Sequence, residues 1–251
     1  EAYTVVLGFK SKLFYTFSSV ISDNKYEYTY DKNGDLITSK FTDSGYDAKG
    51  RLVRTTQTDS RGRTITTKLS YHESMPTLIT DRVTSMDGNI IRAERYNYMC
   101  LNESSTPNQY VPASMELAII DGEVPDTSGM AYKTKISFDK YDNKGRLLQT
   151  TDERGIKTSY AWGYGGLYPV AAVEGISHDT LGVISVYPGE LPAGTEAYMR
   201  GLSGRLVTTW KHEPLIGVSE ITDPSGRVHT SEYDCHNRLL KSYMNGNSIL
   251  M

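Results

Sequence analysis

The heptapeptide YDNKGRL at residues 141–147 contains the pattern that decides the fold, an aspartate and a glycine three positions apart. In a four-residue turn, aspartate at the first position accepts backbone N–H groups, and glycine at the fourth adopts the left-handed conformation that closes a hairpin with a G1 bulge. Glycine suits that position because it has no Cβ atom to clash. Residues 141–147 therefore predict a reversal between two antiparallel strands.

The same spacing recurs between threonine- and tyrosine-rich segments. Six copies end in glycine, and a seventh ends in asparagine, which tolerates positive φ better than most residues. The predicted turn residues are Asp31 and Gly34, Asp47 and Gly50, Asp59 and Gly62, Asp142 and Gly145, Asp152 and Gly155, Asp223 and Gly226, and Asp234 and Asn237. Neighbouring turns lie 16 residues apart between Asp31 and Asp47 and 10 apart between Asp142 and Asp152, which is typical of short strands in a meander.

Two further hairpin signals use a different turn. Asp87-Gly88 and Asn245-Gly246 are dipeptides typical of two-residue hairpin loops, and apolar residues flank both. Together the turns predict an all-β fold, an antiparallel β-hairpin meander that forms a curved sheet or a partial spiral or solenoid. We predict a single domain over residues 1–251.

Two segments depart from this pattern. Residues 99–131 contain many helix and strand breakers, so we predict an irregular insertion with one strand at residues 113–120. Residues 176–204 carry a helix-start signal at Ser177 and a helix-compatible stretch after Thr195. They predict a helical insertion with one or two short helices near 177–203.

Composition limits the class of protein. Hydrophobic residues make up 38% of the chain and the mean hydropathy is −0.45, yet there are 19 tyrosines, which suit half-exposed strands. The net charge of −3 and the absence of basic runs argue against a nucleic-acid partner. No apolar run approaches the roughly 18 residues of a membrane span. Because the first residue is Glu1 rather than Met, we expect any signal peptide or lipid anchor to lie outside this chain.

With the turns laid out, the chain resembles the YD-repeat, or Rhs, proteins, whose repeat is Tyr-Asp-x-x-Gly-Arg-Leu. Residues 46–52 and 141–147 match this repeat in full, and residues 30–36 match it except for Asp35 in place of arginine. The similarity is strongest over residues 132–243, where the order of motifs is similar to secreted Rhs-like proteins of Bacteroidetes. These motifs are TSYAWGY at 158–164, LYPVA at 167–171, PLIGV at 214–218, TDPSGR at 222–227 and EYDCHNRL at 232–239.

The resemblance implies a strip of β-hairpins in a bacterial protein that is secreted or held at the cell surface. In larger relatives such a strip curls into a shell around cargo, whereas this chain shows no counterpart to their self-cleaving core motif or toxin. We therefore expect a non-enzymatic structural or interaction module whose partner is an unknown protein or glycan. A shell fragment of an Rhs-type toxin-delivery protein is the less favoured hypothesis, and exposed strand edges would allow edge-to-edge self-association.

Every residue of the repeat has a structural explanation. We expect the tyrosine to pack at a strand end with its hydroxyl in water, and the arginine to pair across the hairpin with acidic or aromatic neighbours. The alternative is a carbohydrate- or peptide-binding surface built from aromatic side chains. The residues for such a patch are Tyr160, Trp162, Tyr164 and Tyr168. For Trp162 the competing interpretation is a core anchor between strand and helix.

A search for catalytic and metal-binding patterns finds none of the common motifs. His212 and Glu213 are adjacent, but neighbouring strand residues point to opposite faces, so they make a poor acid–base pair. Cys100 and Cys235 lie far apart in sequence and form either a disulfide or two free thiols. We expect no catalytic residues, no required metal and no cofactor.

Overall fold

The computed structural model describes residues 3–13, 20–30, 33, 35–102, 109–245 and 247–249. Its secondary structure is almost entirely β-strand, and each register between two strands is antiparallel. The prediction of an antiparallel hairpin meander is confirmed. No helix in these ranges is long and apolar enough to cross a bilayer.

The first run of strands covers the N-terminal part of the chain, and each strand pairs with the next. Its strands are β1 (Tyr3–Leu13), β2 (Val20–Tyr30), β3 (Leu36–Tyr46), β4 (Leu52–Asp59), β5 (Thr64–Tyr71), β6 (Ile79–Met86) and β7 (Asn89–Asn102).

The second run again pairs each strand with the next from β9 to β17. Its strands are β9 (Tyr132–Tyr141), β10 (Leu147–Asp152), β11 (Lys157–Gly163), β12 (Tyr168–Glu174), β13 (Leu206–Glu213), β14 (Gly217–Thr222), β15 (Val228–Tyr233), β16 (Leu239–Met244) and β17 (Asn247–Ile249), and β8 (Gln109–Ala118) precedes them. Helices α1 (His178–Leu181) and α2 (Ala193–Gly201) lie between β12 and β13, which confirms the short helical insertion. As predicted, α1 begins after Ser177, whose hydroxyl accepts the backbone N–H of Thr180.

Strand β8 differs from the sequence-based prediction for residues 99–131. The predicted strand spans 113–120, whereas β8 begins at Gln109 and ends at Ala118, and β7 continues to Asn102. Pro112 lies inside β8, where a proline argues against a strand because it cannot donate to the ladder. Here its carbonyl still serves as an acceptor, for the hydroxyl of Tyr141 at 2.8 Å.

The residues group into two compact units. Unit 1 comprises Glu1–Asn97 and Met115–Thr134, and unit 2 comprises Tyr98–Ser114 and Lys135–Met251. The single domain over residues 1–251 stays a prediction.

Unit 1 has very little buried core among its described side chains. No residue of β4, β5 or β6 is buried, so both faces of this part of the sheet are at least partly exposed. The buried residues lie in β7: Ile90, Ala93 and Glu94. The carboxylate of Glu94 accepts hydrogen bonds from Arg92 at 2.6 Å and from the hydroxyl of Tyr96 at 2.7 Å. Hydroxyl contacts between threonines on facing strands, such as Thr56 and Thr66 at 3.3 Å, replace apolar packing.

Unit 2 contains a true hydrophobic core beneath the helical insertion. Buried residues of β11, β12 and β13 form one cluster with residues of the two helices and of the segment that connects them. The buried cluster is Ala161, Val170, Ala171, Val173, Ile176, Leu181, Tyr187, Met199 and Val207.

Candidate functional site

The aspartate turns share one set of backbone contacts. In each described copy the aspartate N–H donates to the carbonyl four residues later, and the fourth residue donates back to the aspartate carbonyl, all at 2.9–3.1 Å. The carboxylate Oδ1 also accepts the N–H groups of the third and fifth residues of the turn at 2.8–3.0 Å. These turns begin at Asp47, Asp59, Asp142, Asp152, Asp223 and Asp234. The copy at Asp31 and Gly34 lies outside the described residues.

The closing residue of each described turn has a positive φ. Gly50, Gly62, Gly145, Gly155 and Gly226 lie at φ 77–81°, and Asn237 substitutes for glycine at φ 60°. An eighth turn with the same spacing, Asp126 to Gly129, escaped the sequence analysis. Its carboxylate accepts the N–H of Ser128 at 2.8 Å, and Gly129 has φ 73°.

The repeat arginine pairs within its own turn. In five copies its Nε donates to Oδ2 of the turn aspartate at 2.6–2.9 Å, which agrees with the expected pairing with an acidic neighbour across the hairpin. The two residues lie opposite each other because the aspartate N–H donates to the carbonyl of the arginine. In the Asp152 turn the fifth residue is Ile156, and Arg154 supplies the bond at 2.8 Å instead.

These contacts stabilise the charged form of the aspartates. The pKa of Asp47 is lowered because its carboxylate accepts the backbone N–H of Arg51, and the pKa of Asp59 is lowered chiefly by the side chain of Arg63. Burial opposes the shift at Asp142, yet the hydrogen bonds from Arg146 and Lys144 still lower its pKa. All three turns therefore depend on an ionised carboxylate.

Two of the turn arginines also reach the next loop on the same end of the sheet. In unit 1, Arg51 donates to the carbonyl of Pro76 at 3.2 Å and its guanidinium lies 4.6 Å from the ring centre of Tyr71. In unit 2, Arg146 donates to the carbonyl of Gly165 at 3.4 Å. The turn arginine thus ties one hairpin to another.

Tyrosines at strand ends make a second kind of connection. The hydroxyls of Tyr71, Tyr141 and Tyr233 donate to backbone carbonyls of the preceding strand at 2.6–2.9 Å. The hydroxyls of the repeat tyrosines Tyr141 and Tyr233 thus have backbone partners, which the sequence did not predict. Burial raises the pKa of Tyr141 to about 12. A Cβ at position 217 would lie 2.4 Å from the Tyr233 hydroxyl, so a residue other than glycine there would displace the Tyr233 ring.

The predicted aromatic patch divides into two parts. Tyr160 and Trp162 are half-buried and alternate along β11 with buried Ser159 and Ala161, so they face away from the core. The indole N–H of Trp162 donates to the carbonyl of Leu147 at 2.8 Å, and the hydroxyl of Tyr160 lies 3.4 Å from Thr150 Oγ1. Trp162 is not a member of the buried cluster of unit 2.

The second part is an aromatic cluster of Tyr164, Tyr168 and His212. The Tyr164 hydroxyl accepts the N–H of His212 and donates to its carbonyl, both at 2.9 Å. Tyr168 stacks on the imidazole of His212 with ring centres 4.8 Å apart, and its hydroxyl accepts the N–H of Leu215 at 3.0 Å. His212 Nε2 lies 2.8 Å from the carbonyl of Pro169, so the imidazole is used inside the fold.

Sequence reasoning missed a strained and exposed leucine beside this cluster. Leu215 has φ 67°, a conformation that costs a bulky residue energy, in a turn closed by the N–H of Ile216 and the carbonyl of Glu213. The residue is 90% exposed. Pro214 before it was the available signal, because a type II turn with proline at its second position requires positive φ at the third.

Sequence reasoning also missed Arg200, which connects α2 to the sheet. Its five N–H donors have five partners: Glu196 Oε1 at 2.8 Å, the carbonyls of Val207, Asp223 and Thr222 at 3.2, 3.0 and 3.3 Å, and Thr209 Oγ1 at 3.3 Å. Only the spacing of Glu196 and Arg200, four residues apart on a helix, was visible in the sequence.

Metal and redox sites receive no support from the described side chains. No group of three or more histidine, cysteine or acidic side chains is arranged to hold a metal ion within those ranges. Cys100 is half-buried and Cys235 is exposed, and both are free thiols. Of the two alternatives open for these cysteines, the structure has the unpaired one.

Comparison with known proteins finds distant structural similarity only. No family model matches the chain, and no curated protein matches it. Among solved structures, TcdB2-TccC3 without its hypervariable C-terminal region has a TM-score of 0.41 and 12% identity over 89% of this chain, and TcdB2-TccC3-Cdc42 has 0.39 and 13% over 89%. A porin-like protein from Bacteroides uniformis ATCC 8492 has a TM-score of 0.33 and 11% identity over 93% of this chain and 92% of its own. The chain spans only 11% of the TcdB2-TccC3 chains.

Proposed function

We propose that this chain is a non-enzymatic module of the YD-repeat type that acts outside the bacterial cell as a scaffold or recognition surface. The observation that carries the proposal is the repeated turn, in which aspartate, glycine and arginine make the same contacts in copy after copy. Each of these residues has a structural partner, so no ligand is needed to explain the repeat.

The contacts between hairpins support a scaffold further. Turn arginines and strand-end tyrosines both reach backbone carbonyls outside their own turn, as Arg51 does at Pro76 and Tyr233 does at Val218. Such contacts order neighbouring hairpins relative to one another, and an ordered strip is what a scaffold requires.

The rival hypothesis is a carbohydrate- or peptide-binding surface at Tyr160, Trp162, Tyr164 and Tyr168. A sugar platform needs open ring faces and free polar edges. Here the polar atoms of Trp162, Tyr164 and Tyr168 are already bonded to backbone, and one face of Tyr168 is stacked on His212. This geometry favours the scaffold.

A glycan array distinguishes the two hypotheses. We expect the intact chain to bind no glycan above background. The matched variants are Trp162→Ala and Trp210→Ala, since Trp210 lies in β13 outside the patch. The binding-module hypothesis would be favoured if the intact chain and Trp210→Ala bind a glycan that folded Trp162→Ala does not bind. The scaffold hypothesis would then be wrong.

The extracellular location has a separate test. Intact producing cells are treated with trypsin, which does not enter them, and released peptides are identified by mass spectrometry. We expect cleavage at exposed arginines of the turns, such as Arg61 and Arg154. Peptides that appear only after the cells are lysed would contradict the proposed location.

A further inference from the structure

A buried histidine lies between the helical insertion and the sheet of unit 2. His178 is the first residue of α1 and only 7% exposed. Its Nε2 lies 2.9 Å from Ser185 Oγ, whereas its Nδ1 is buried and has no hydrogen-bond partner. A neutral imidazole fits this site, because one nitrogen can remain an unprotonated acceptor without a donor opposite it.

The surroundings of His178 connect the insertion to three strands. Its backbone N–H donates to Gln149 Oε1 in β10 at 2.9 Å, and Gln149 Nε2 donates to Asp139 Oδ2 in β9 at 3.0 Å. The carbonyl of Ser185 in turn accepts the N–H of Trp162 in β11 at 2.9 Å. A change in the hydrogen bonding or charge of the imidazole therefore affects the hydrogen bonds that hold the insertion against the sheet.

The charges around His178 do not compensate a positive imidazole. Lys140 in β9 opposes a second positive charge, while Asp179 in α1 favours it. Asp179 is already paired with Lys140 and also feels the charge of Lys157 in β11. Asp139 in β9 already accepts hydrogen bonds from Gln149 and Thr151.

We propose that His178 is an acid-sensitive latch: protonation at Nδ1 loosens the helical insertion, residues 176–202, from the sheet of unit 2. The added N–H has no acceptor in the closed site, and the charge is buried. When the insertion opens, the imidazole is exposed to water, and water solvates both the added N–H and the positive charge. This inference does not depend on the proposed scaffold function.

The direction of the effect follows from proton linkage. Burial lowers the pKa of His178 below its ordinary value, and Lys140 lowers it further. For a base with a lowered pKa in the folded state, the closed form is fully favoured above the unfolded value of about 6.5 and loses favour as the pH falls below it. The opening constant then rises roughly tenfold per pH unit, until the folded pKa is reached.

Hydrogen exchange of the full chain between pH 8 and pH 5, corrected for intrinsic exchange rates, tests the proposal. We expect the protection of residues 176–202 to fall roughly tenfold per pH unit below about pH 6.5, while residues 52–71 of unit 1, which contain no histidine, keep theirs. His178→Phe removes the titrating group, so the protection of residues 176–202 should no longer fall with pH. His236→Gln changes an exposed histidine of a turn and should leave the fall unchanged.

Two outcomes overturn the latch. One is protection of residues 176–202 that does not change with pH in the unmodified chain, and the other is the same fall in folded His178→Phe. If His178→Phe does not fold, an NMR titration of the unmodified chain decides. His178 must stay neutral at the ordinary histidine pKa of about 6.5, and a midpoint at or above that value contradicts the proposal.

Discussion

Units 1 and 2 use the same turns but differ in what their strands bury. In unit 1 no described residue of β4, β5 or β6 is buried, and threonine hydroxyls meet across the strands. In unit 2 a cluster of nine buried residues lies between the sheet and the helical insertion. The difference shows that the turn motif determines where the chain reverses, whereas an insertion between two strands determines where a core forms.

The contrast has an energetic consequence. Burial of apolar surface contributes about 25 cal/mol per Å², whereas a cross-strand pair contributes roughly 0.2–1 kcal/mol. We therefore expect unit 2 to hold most of the stability, and unit 1 to open at lower denaturant concentration. Segment-resolved hydrogen exchange in urea measures this order directly.

The largest expected effect comes from a cavity in unit 2. Leu181 is fully buried, and Leu181→Ala should reduce the free energy of unfolding by about 2–5 kcal/mol. Leu69→Ala is the matched change in unit 1, where the leucine is half-buried in β5, and should reduce it by about 1 kcal/mol. Urea denaturation measures both losses. Equal losses would break the comparison between the units.

The next effect concerns Arg200, the connection between α2 and the sheet. Arg200→Ala removes five hydrogen bonds and the ion pair of Glu196, so we expect a loss of about 2 kcal/mol and faster exchange in α2. Arg205→Ala is the control, because Arg205 is exposed four residues after α2 ends and its removal should change stability by less than about 0.5 kcal/mol. If the two variants behave alike, Arg200 does not hold the insertion.

A turn aspartate should matter less than the core. Asp142 is 13% exposed in its side chain and accepts two backbone N–H groups, so Asp142→Ala should cost about 1–2 kcal/mol. Asp59→Ala, in a turn whose carboxylate is 36% exposed, should cost less. Thermal unfolding of both variants checks the order, and a larger loss at Asp59 would reverse it.

The same carboxylates predict an acid response. Their lowered pKa values mean that their stabilisation is fully present above about pH 4, the ordinary aspartate range, and is lost as the pH falls through the folded values. Because unit 1 has little core, it should lose exchange protection before unit 2 in this range. If unit 2 loses exchange protection before unit 1, the buried core does not explain the difference in acid stability between the units.

Removing strain from unit 2 should increase stability slightly. Leu215→Gly relieves the positive φ of an exposed residue, and we expect a gain of about 1 kcal/mol in calorimetry. In unit 1 the described non-glycine residue with positive φ is Asp87, which tolerates that conformation. Asp87→Gly should therefore gain less. A loss of stability in Leu215→Gly would mean that the leucine side chain contributes contacts.

The smallest effect probes the threonine contacts of unit 1. Thr66→Val keeps the branched shape but removes the hydroxyl that lies 3.3 Å from Thr56 Oγ1, so the loss should be about 0.2–1 kcal/mol. Thr209→Val in unit 2 should cost more, because its buried hydroxyl contacts Arg200 and Glu196. Denaturation of the two variants side by side tests whether the same hydroxyl matters differently in the two units.

The sequence predicts those parts of the structure in which the contacting residues are close to one another in the chain. The turn at Asp142 is determined by five consecutive residues, and Ser177 predicts the start of α1 because its hydroxyl caps the helix. Both could therefore be identified without coordinates. The partners of Arg200 lie up to 23 residues away, and the contacts of His212 lie more than 40 residues away. Such contacts depend on strand register, which the turns alone do not determine.

Consecutive pairing has a mechanical consequence for each run of strands. When a ladder is loaded from one end, its hydrogen bonds break in sequence, as in a zipper, rather than all at once under shear. Each released residue adds roughly 3.3–3.6 Å of length. A strip of this kind lengthens in steps, one hairpin at a time. At the Arg51 turn the hydrogen bond from Arg51 to the carbonyl of Pro76 must also break before the next hairpin unfolds.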